Sequence, residues 1–79
     1  MKTHYSEQNR TMRILGNYAD DKPLMDEIAE AQARDKPVHV KFEHEKLCGD
    51  VKEFDPNYDL THGQPEWMAV LENVKPAQP

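Results

Sequence analysis

The sequence predicts a small α+β fold in which one amphipathic helix packs on a small, strongly bent antiparallel sheet. Three segments support this: residues 38–54 alternate like two strands, residues 23–35 carry a helical apolar stripe, and residues 67–74 form a further apolar run. A chain of 79 residues has room for a single domain. We expect a flexible N-terminal segment at residues 1–10, the domain at residues 11–75 and a tail at residues 76–79.

The first predicted element is a short strand or extended segment at residues 11–15. Its apolar residues partly alternate with polar ones, and Gly16-Asn17 punctuates its end. A single helical turn that closes at the glycine is an alternative interpretation.

A helix is predicted from Pro23 to about Asp35. Proline fits the first turn of a helix, where its missing N–H leaves no bond unmade. An apolar stripe follows the helical period and consists of Leu24, Ile28 and Ala31. Pro37 prevents the helix from continuing.

Residues 38–54 predict a hairpin of two antiparallel strands with a polar connection at residues 44–46. Gly49 lies within the second strand and indicates a tight bend or a close approach of another backbone. Three residues separate Val51 from Phe54, so a regular strand would place these side chains on opposite faces. A β-bulge near Lys52-Glu53 would return Phe54 to the core side.

The remaining residues predict a turn, a loop and a last strand. The turn covers residues 55–59, because Asp-Pro-Asn is typical turn chemistry. The loop covers residues 60–66, and the strand covers residues 67–74, with a helix there as the alternative.

The run from Leu47 to Asp55, following Val38 to Phe42, resembles the first motif of Sm-like proteins, the fold of the RNA chaperone Hfq. The resemblance covers roughly residues 23–60. It implies a helix that precedes a strongly bent, Sm- or SH3-like partial barrel. It also implies RNA binding in rings or, as in small acidic relatives such as the bacterial Rho-inhibitor family, docking on a protein that handles nucleic acid.

The charge distribution favours the second of these activities. The chain carries a net charge of −5, and residues 20–35 alone carry −4. Such a balance disfavours binding to phosphates and favours a basic protein partner. We therefore expect a non-enzymatic, acidic regulatory or inhibitory protein that binds a basic surface of a nucleic-acid-handling protein. The predicted partner-binding residues are Asp20, Asp21, Asp26, Glu27, Glu30 and Trp67. An ordinary solvated helix face is the alternative interpretation of the acidic residues.

RNA binding by an Sm-like module is the alternative function, and its predicted residues are Lys41, Lys46, Lys52 and Tyr58. A more distant alternative is a small metal-binding protein, because the chain has the zinc-ligand types His39, His44, Cys48 and His62. Their spacing matches no familiar zinc site, and the single cysteine lacks the partners that a catalytic thiol requires. We expect no catalytic residues, cofactor or membrane segment, and a cytoplasmic location; size alone suggests a bacterial or phage origin.

Overall fold

A computed structural model of the protein describes residues 1–59 and 66–77. In chain order the elements are β1 (Lys2–Ser6), β2 (Thr11–Asn17), α1 (Lys22–Arg34), β3 (Val38–Phe42), β4 (Glu45–Asp59) and β5 (Glu66–Pro76). The strands form one curled antiparallel sheet in the order β1-β2-β5-β4-β3. This arrangement confirms one helix with a small, bent antiparallel sheet. No helix in the described part of the chain is long and apolar enough to cross a membrane.

The N-terminal segment corrects one prediction, since its first residues belong to the sheet. Lys2–Ser6 form strand β1, which pairs along its whole length with β2. Thr3 and Tyr5 are half-buried while Lys2 and His4 are exposed, so β1 has the alternation of an edge strand. The polar composition of residues 1–10 concealed this alternation. Strand β2 confirms the predicted strand at residues 11–15 but continues through Gly16 to Asn17.

The helix agrees with its prediction to within one residue at each end. It begins at Lys22, with proline in its first turn, and ends at Arg34. Asp35 then adopts a left-handed conformation, with φ of 52°, and its backbone N–H bonds back to the last helical turn. Ile28 and Ala31 are buried and join the hydrophobic core.

The hairpin has a tighter connection than the sequence predicts. Phe42 pairs with Glu45, which leaves only Glu43 and His44 in the turn. Glu43 adopts a φ of 56°, which is the sign required at the first position of the favoured two-residue hairpin turns.

Two irregularities bend β4 against β5, and both fall where the sequence predicts them. Between Val51 and Glu53 the register shifts by one residue, which confirms the β-bulge and leaves Phe54 packed against the core. Near Gly49 the extra residue is on β5, where Asn73 has a φ of 54°. A Cβ on Gly49 would lie 2.9 Å from Val74 Cγ2 and 3.1 Å from the Glu72 carbonyl oxygen. Gly49 is therefore a site of close approach.

The predicted turn at residues 55–59 is wrong, because β4 runs on to Asp59. Asp55 pairs with Met68 and Asp59 with Glu66, so two extra residues of β4 are accommodated between these pairs. Pro56 is tolerated within this irregularity, since no regular ladder bond is required of it there. The local Asx-type bond is nevertheless present: the Asn57 N–H donates to Asp55 Oδ1 at 2.9 Å.

The last strand is confirmed and is longer than predicted at both ends. It begins at Glu66 and includes Pro76, and the Ala77 N–H donates to the Lys46 carbonyl at 2.8 Å. The sheet thus takes in the start of the predicted tail. The rest of the predicted loop, residues 60–65, and residues 78–79 lie outside the described residues.

The core lies on the concave side of the sheet, and Ile28 and Ala31 of α1 belong to it. Tyr5 of β1 and Phe42 of β3 add an edge-to-face pair with ring centroids 5.7 Å apart. Because these strands are the two outermost ones, the contact shows how strongly the sheet curls. The buried cluster consists of Met12, Ile14, Ile28, Ala31, Val38, Val40, Leu47, Trp67, Ala69, Leu71 and Val74.

Candidate interaction surfaces

Helix α1 presents acidic side chains to solvent, and two of them lie on the side opposite the buried Ile28. Asp26, Glu27 and Glu30 are exposed, whereas Ile28 and Ala31 are buried. On a helical wheel the three acidic residues fall within a sector of about 100°, because residues three and four apart are neighbours; Glu27 lies at the margin of this sector, beside Ala31. The sequence predicted this arrangement, and the helix brings the three carboxylates together.

Cations of the same helix region contact two of these carboxylates. Lys22 Nζ lies 3.0 Å from Asp26 Oδ2, and Arg34 Nε lies 3.4 Å from Glu30 Oε1. Lys36 Nζ is 4.0 Å from the same Glu30 oxygen. All of these groups are more than half exposed. Exposed pairs of this kind contribute only about 0.2–1 kcal/mol, so a partner's cation can replace them.

Asp21 is largely shielded from solvent and makes local structural contacts. Its side chain is 15% exposed, and Oδ2 accepts the Asn17 backbone N–H at 3.1 Å and lies 3.5 Å from the N-terminal ammonium. Asp20, in contrast, is exposed, although its own backbone N–H donates to Asn17 Oδ1 at 2.7 Å. We call Asp20, Asp26, Glu27 and Glu30 the acidic surface.

Trp67 is corrected from an interface residue to a core residue. It is 0% exposed and lies opposite Gly16 in the pairing of β2 with β5. Phe54 packs against it edge to face, with centroids 6.3 Å apart. A core this small needs its largest ring, which is why burial prevails over an interface role. Among the described residues no acceptor reaches its indole N–H.

The alternative nucleic-acid residues separate into a pair and two isolated positions. Lys41 and Lys46 are direct cross-strand partners, and both are exposed. Lys52 lies at the β-bulge of β4. Tyr58 is 41% exposed, and its hydroxyl accepts a bond from Arg13 Nη2 at 3.1 Å.

Lys75 lies next to the lysine pair, and the sequence alone did not predict that it would. It lies opposite Cys48 on β5, and Cys48 is two residues from Lys46 on the same face of β4. We call Lys41, Lys46 and Lys75 the lysine cluster. Only the register of β5 reveals it, because Lys75 follows Lys46 by nearly thirty positions in the sequence.

The residues considered for zinc are partly brought together. His39 is the direct cross-strand partner of Cys48, so both side chains lie on one face. His44 is in the hairpin turn, and His62 lies outside the described residues. Within residues 1–59 and 66–77 there is no group of three or more side chains placed to hold a metal ion.

No protein-family model matches the chain, and no curated protein or solved structure shows significant similarity to it.

Proposed function

We propose that this protein is a non-enzymatic regulator or inhibitor that docks its acidic surface on a basic region of a protein that handles nucleic acid. The observation that carries the proposal is the exposed triad of Asp26, Glu27 and Glu30 on α1, of which Asp26 and Glu30 lie opposite the buried Ile28. The helix is anchored by its apolar side, so its carboxylates are held at a rigid surface.

Charge and geometry support this kind of partner. Carboxylates accept charge-assisted hydrogen bonds from Arg and Lys, the same side chains that bind the phosphates of nucleic acid. A rigid helical row of carboxylates can therefore occupy a site that otherwise holds a phosphate backbone. The net charge of −5 adds long-range attraction toward a basic partner and accelerates encounter at low salt.

The test is affinity capture from the native host with two baits in parallel, wild type and Asp26→Lys/Glu30→Lys. The partner that matters is retained by wild type and lost from the double variant. With that partner purified, we expect the affinity to fall by about tenfold or more and its dependence on salt to flatten, since attractive pairs have been removed.

Glu7→Lys/Glu53→Lys is the matched control, because it makes the same charge change at exposed residues outside the helix. It should retain the partner. Circular dichroism and the melting temperature verify that both double variants remain folded, since only weak surface pairs are disturbed. Equal loss in both variants, or unchanged affinity in the helix variant, would reject the acidic surface.

RNA binding by an Sm-like relative is the second candidate, and the lysine cluster favours it. Lys41 and Lys46 are directly opposed, and like charges in such a position destabilise a sheet unless an anion lies between them. Phosphates of RNA would supply that charge. A gel shift with A- or U-rich RNA tests the idea, with Lys46→Glu expected to abolish the shift and Lys52→Glu to preserve most of it. A mass in solution that corresponds to a ring of several copies would support the Sm-like relationship. A monomeric protein that does not bind RNA would reject this candidate.

A further inference from the structure

The two outermost strands of the sheet leave it incompletely closed. Strands β1 and β3 are its edges, and within the described residues each pairs with a strand on one side only. Along the order β1-β2-β5-β4-β3 every neighbour is antiparallel, so directions alternate and the two edge strands point the same way. A single added strand could therefore pair antiparallel with both edges at once.

The curl of the sheet brings these edges toward each other. Tyr5 and Phe42 meet across the opening, and both are half-buried. Because β1 and β3 touch here through inward side chains and do not pair with each other, their backbones stand apart at this opening. We call the space between β1 and β3 above this ring pair the edge gap. Its two sides are the unpaired edges of β1 and β3, and the ring pair lies on its inner side.

The rims of the edge gap are basic on the outer face. Lys2 and His4 alternate with the inward residues of β1, and His39 and Lys41 alternate with those of β3. All four side chains are exposed. Outward-facing carboxylates on an inserted strand would lie beside cations on both sides, as opposite-charge cross-strand pairs do.

We propose that the edge gap accepts an extended segment of a partner protein in which acidic and apolar residues alternate. Its backbone would add a strand to β1 and β3, its apolar side chains would cover Tyr5 and Phe42, and its acidic side chains would face Lys2 and Lys41. Addition of a strand to an exposed edge is an established way to bind peptides, in which alternate side chains give specificity.

Charge argues against a second copy of this chain as the occupant. A copy that offered β1 or β3 would bring Lys2 or Lys41 against the same basic rims. Like charges in opposite positions destabilise strand pairing, and edge lysines are a common means of preventing it. A segment of opposite charge avoids that repulsion.

This inference does not depend on the acidic surface, which lies on α1 and attracts the opposite charge. The direct test uses a fluorescein-labelled peptide of about seven residues with Glu and Val or Phe in alternation, long enough to cover one edge. We expect saturable binding by fluorescence anisotropy. Amide NMR shifts should concentrate in residues 2–6 and 38–42, because those backbones gain hydrogen bonds.

A charge exchange provides the decisive comparison. In the variant Lys2→Glu/Lys41→Glu, the affinity for the acidic peptide should fall by about tenfold or more. The same variant should bind the matched peptide in which every Glu is replaced by Lys. Lys52→Glu is the control variant, since it changes an exposed lysine on β4 away from both edges. A peptide with central proline should fail in every case, because proline lacks the N–H donor.

The inference would be overturned by no binding of the acidic peptide to wild type, by equal binding to the charge-exchanged variant, or by NMR shifts confined to α1. A stable dimer that occupies both edges would also overturn it, and light scattering measures that directly. Mutation of Asp26 and Glu30 leaves peptide binding unchanged if the two surfaces are separate, so failure of one proposal can be told from failure of the other.

Discussion

Replacement of Gly16 by alanine tests how the core accommodates its largest side chain. Gly16 and Trp67 are cross-strand partners, and the indole lies across the glycine. A Cβ there would lie 2.7 Å from Nε1 and still closer to Cζ2 and Cε2. The backbone of Gly16 does not require a left-handed conformation. Space alone makes glycine necessary at this position.

The expected loss of stability is large for a protein of this size. Trp67 is 0% exposed and packs against Phe54, so the ring cannot move aside without displacing the core. Overpacking of this kind costs about 1–3 kcal/mol, and the close approach to three ring atoms places Gly16→Ala in the upper part of that range. In a domain of this length, about 2–3 kcal/mol corresponds to a melting temperature roughly 10–20 °C lower.

A double-mutant cycle with Trp67→Phe separates the clash from other effects. Phenylalanine lacks the ring atoms that the new Cβ would meet, and it removes an indole N–H without an acceptor among the described residues. We expect the double variant to be more stable than the sum of the single effects by about 1–2 kcal/mol. The assay is urea unfolding followed by circular dichroism. Tryptophan fluorescence cannot serve for all variants, because Trp67 is the chain's single tryptophan and the cycle replaces it. Unchanged stability of Gly16→Ala, or strict additivity in the cycle, would refute the reasoning.

Three further substitutions test local features of the fold by urea unfolding. Glu43→Gly should stabilise by about 0.5–1 kcal/mol, because Glu43 has a φ of 56°; a gain equal to that of His44→Gly would contradict this. Asn73→Ala should destabilise by about 1 kcal/mol, since the bulge needs its φ of 54°, and a neutral effect would count against the bulge. Asp21→Ala should cost about 1–2 kcal/mol by leaving a part-buried backbone N–H unpaired. The matched Asp20→Ala should cost less than about 0.5 kcal/mol, and equal losses would argue against a structural role for Asp21.

The bent part of the sheet could be predicted because local sequence determines it. Only a bulge between Val51 and Phe54 lets both residues face the core, and the register shifts there. Gly49 signalled a close approach, and Val74 and Glu72 supply it. The helix likewise follows from its own proline and apolar stripe. In each case the physical constraint lies within a few residues of the signal.

Other features depend on distant partners, and the sequence alone concealed them. Strand β1 has little apolar character of its own and is ordered by pairing with β2, where Tyr5 then meets Phe42. The Asp55-Pro56-Asn57 motif is good turn chemistry, but pairing with β5 continues on both sides of it. Trp67 was predicted as a partner-binding residue, and its pairing with Gly16 across two distant strands places it in the core instead. Long-range pairing decided each of these against the local preference.

The summed charge of a stretch of sequence is a poor guide to the charge of the binding surfaces of a β-protein. Residues 36–54 sum to zero, yet Lys41 and Lys46 share the outer face of the sheet while Val40 and Leu47 point into the core. Successive side chains of a strand face opposite ways, so a neutral segment can make a charged surface. In the helix the summed charge of the segment does predict the surface, because Asp26, Glu27 and Glu30 share one side. The protein thus presents carboxylates on the helix and lysines on the far side of the sheet. A net charge of −5 describes neither surface, and each proposed partner must be tested against the local face that would receive it.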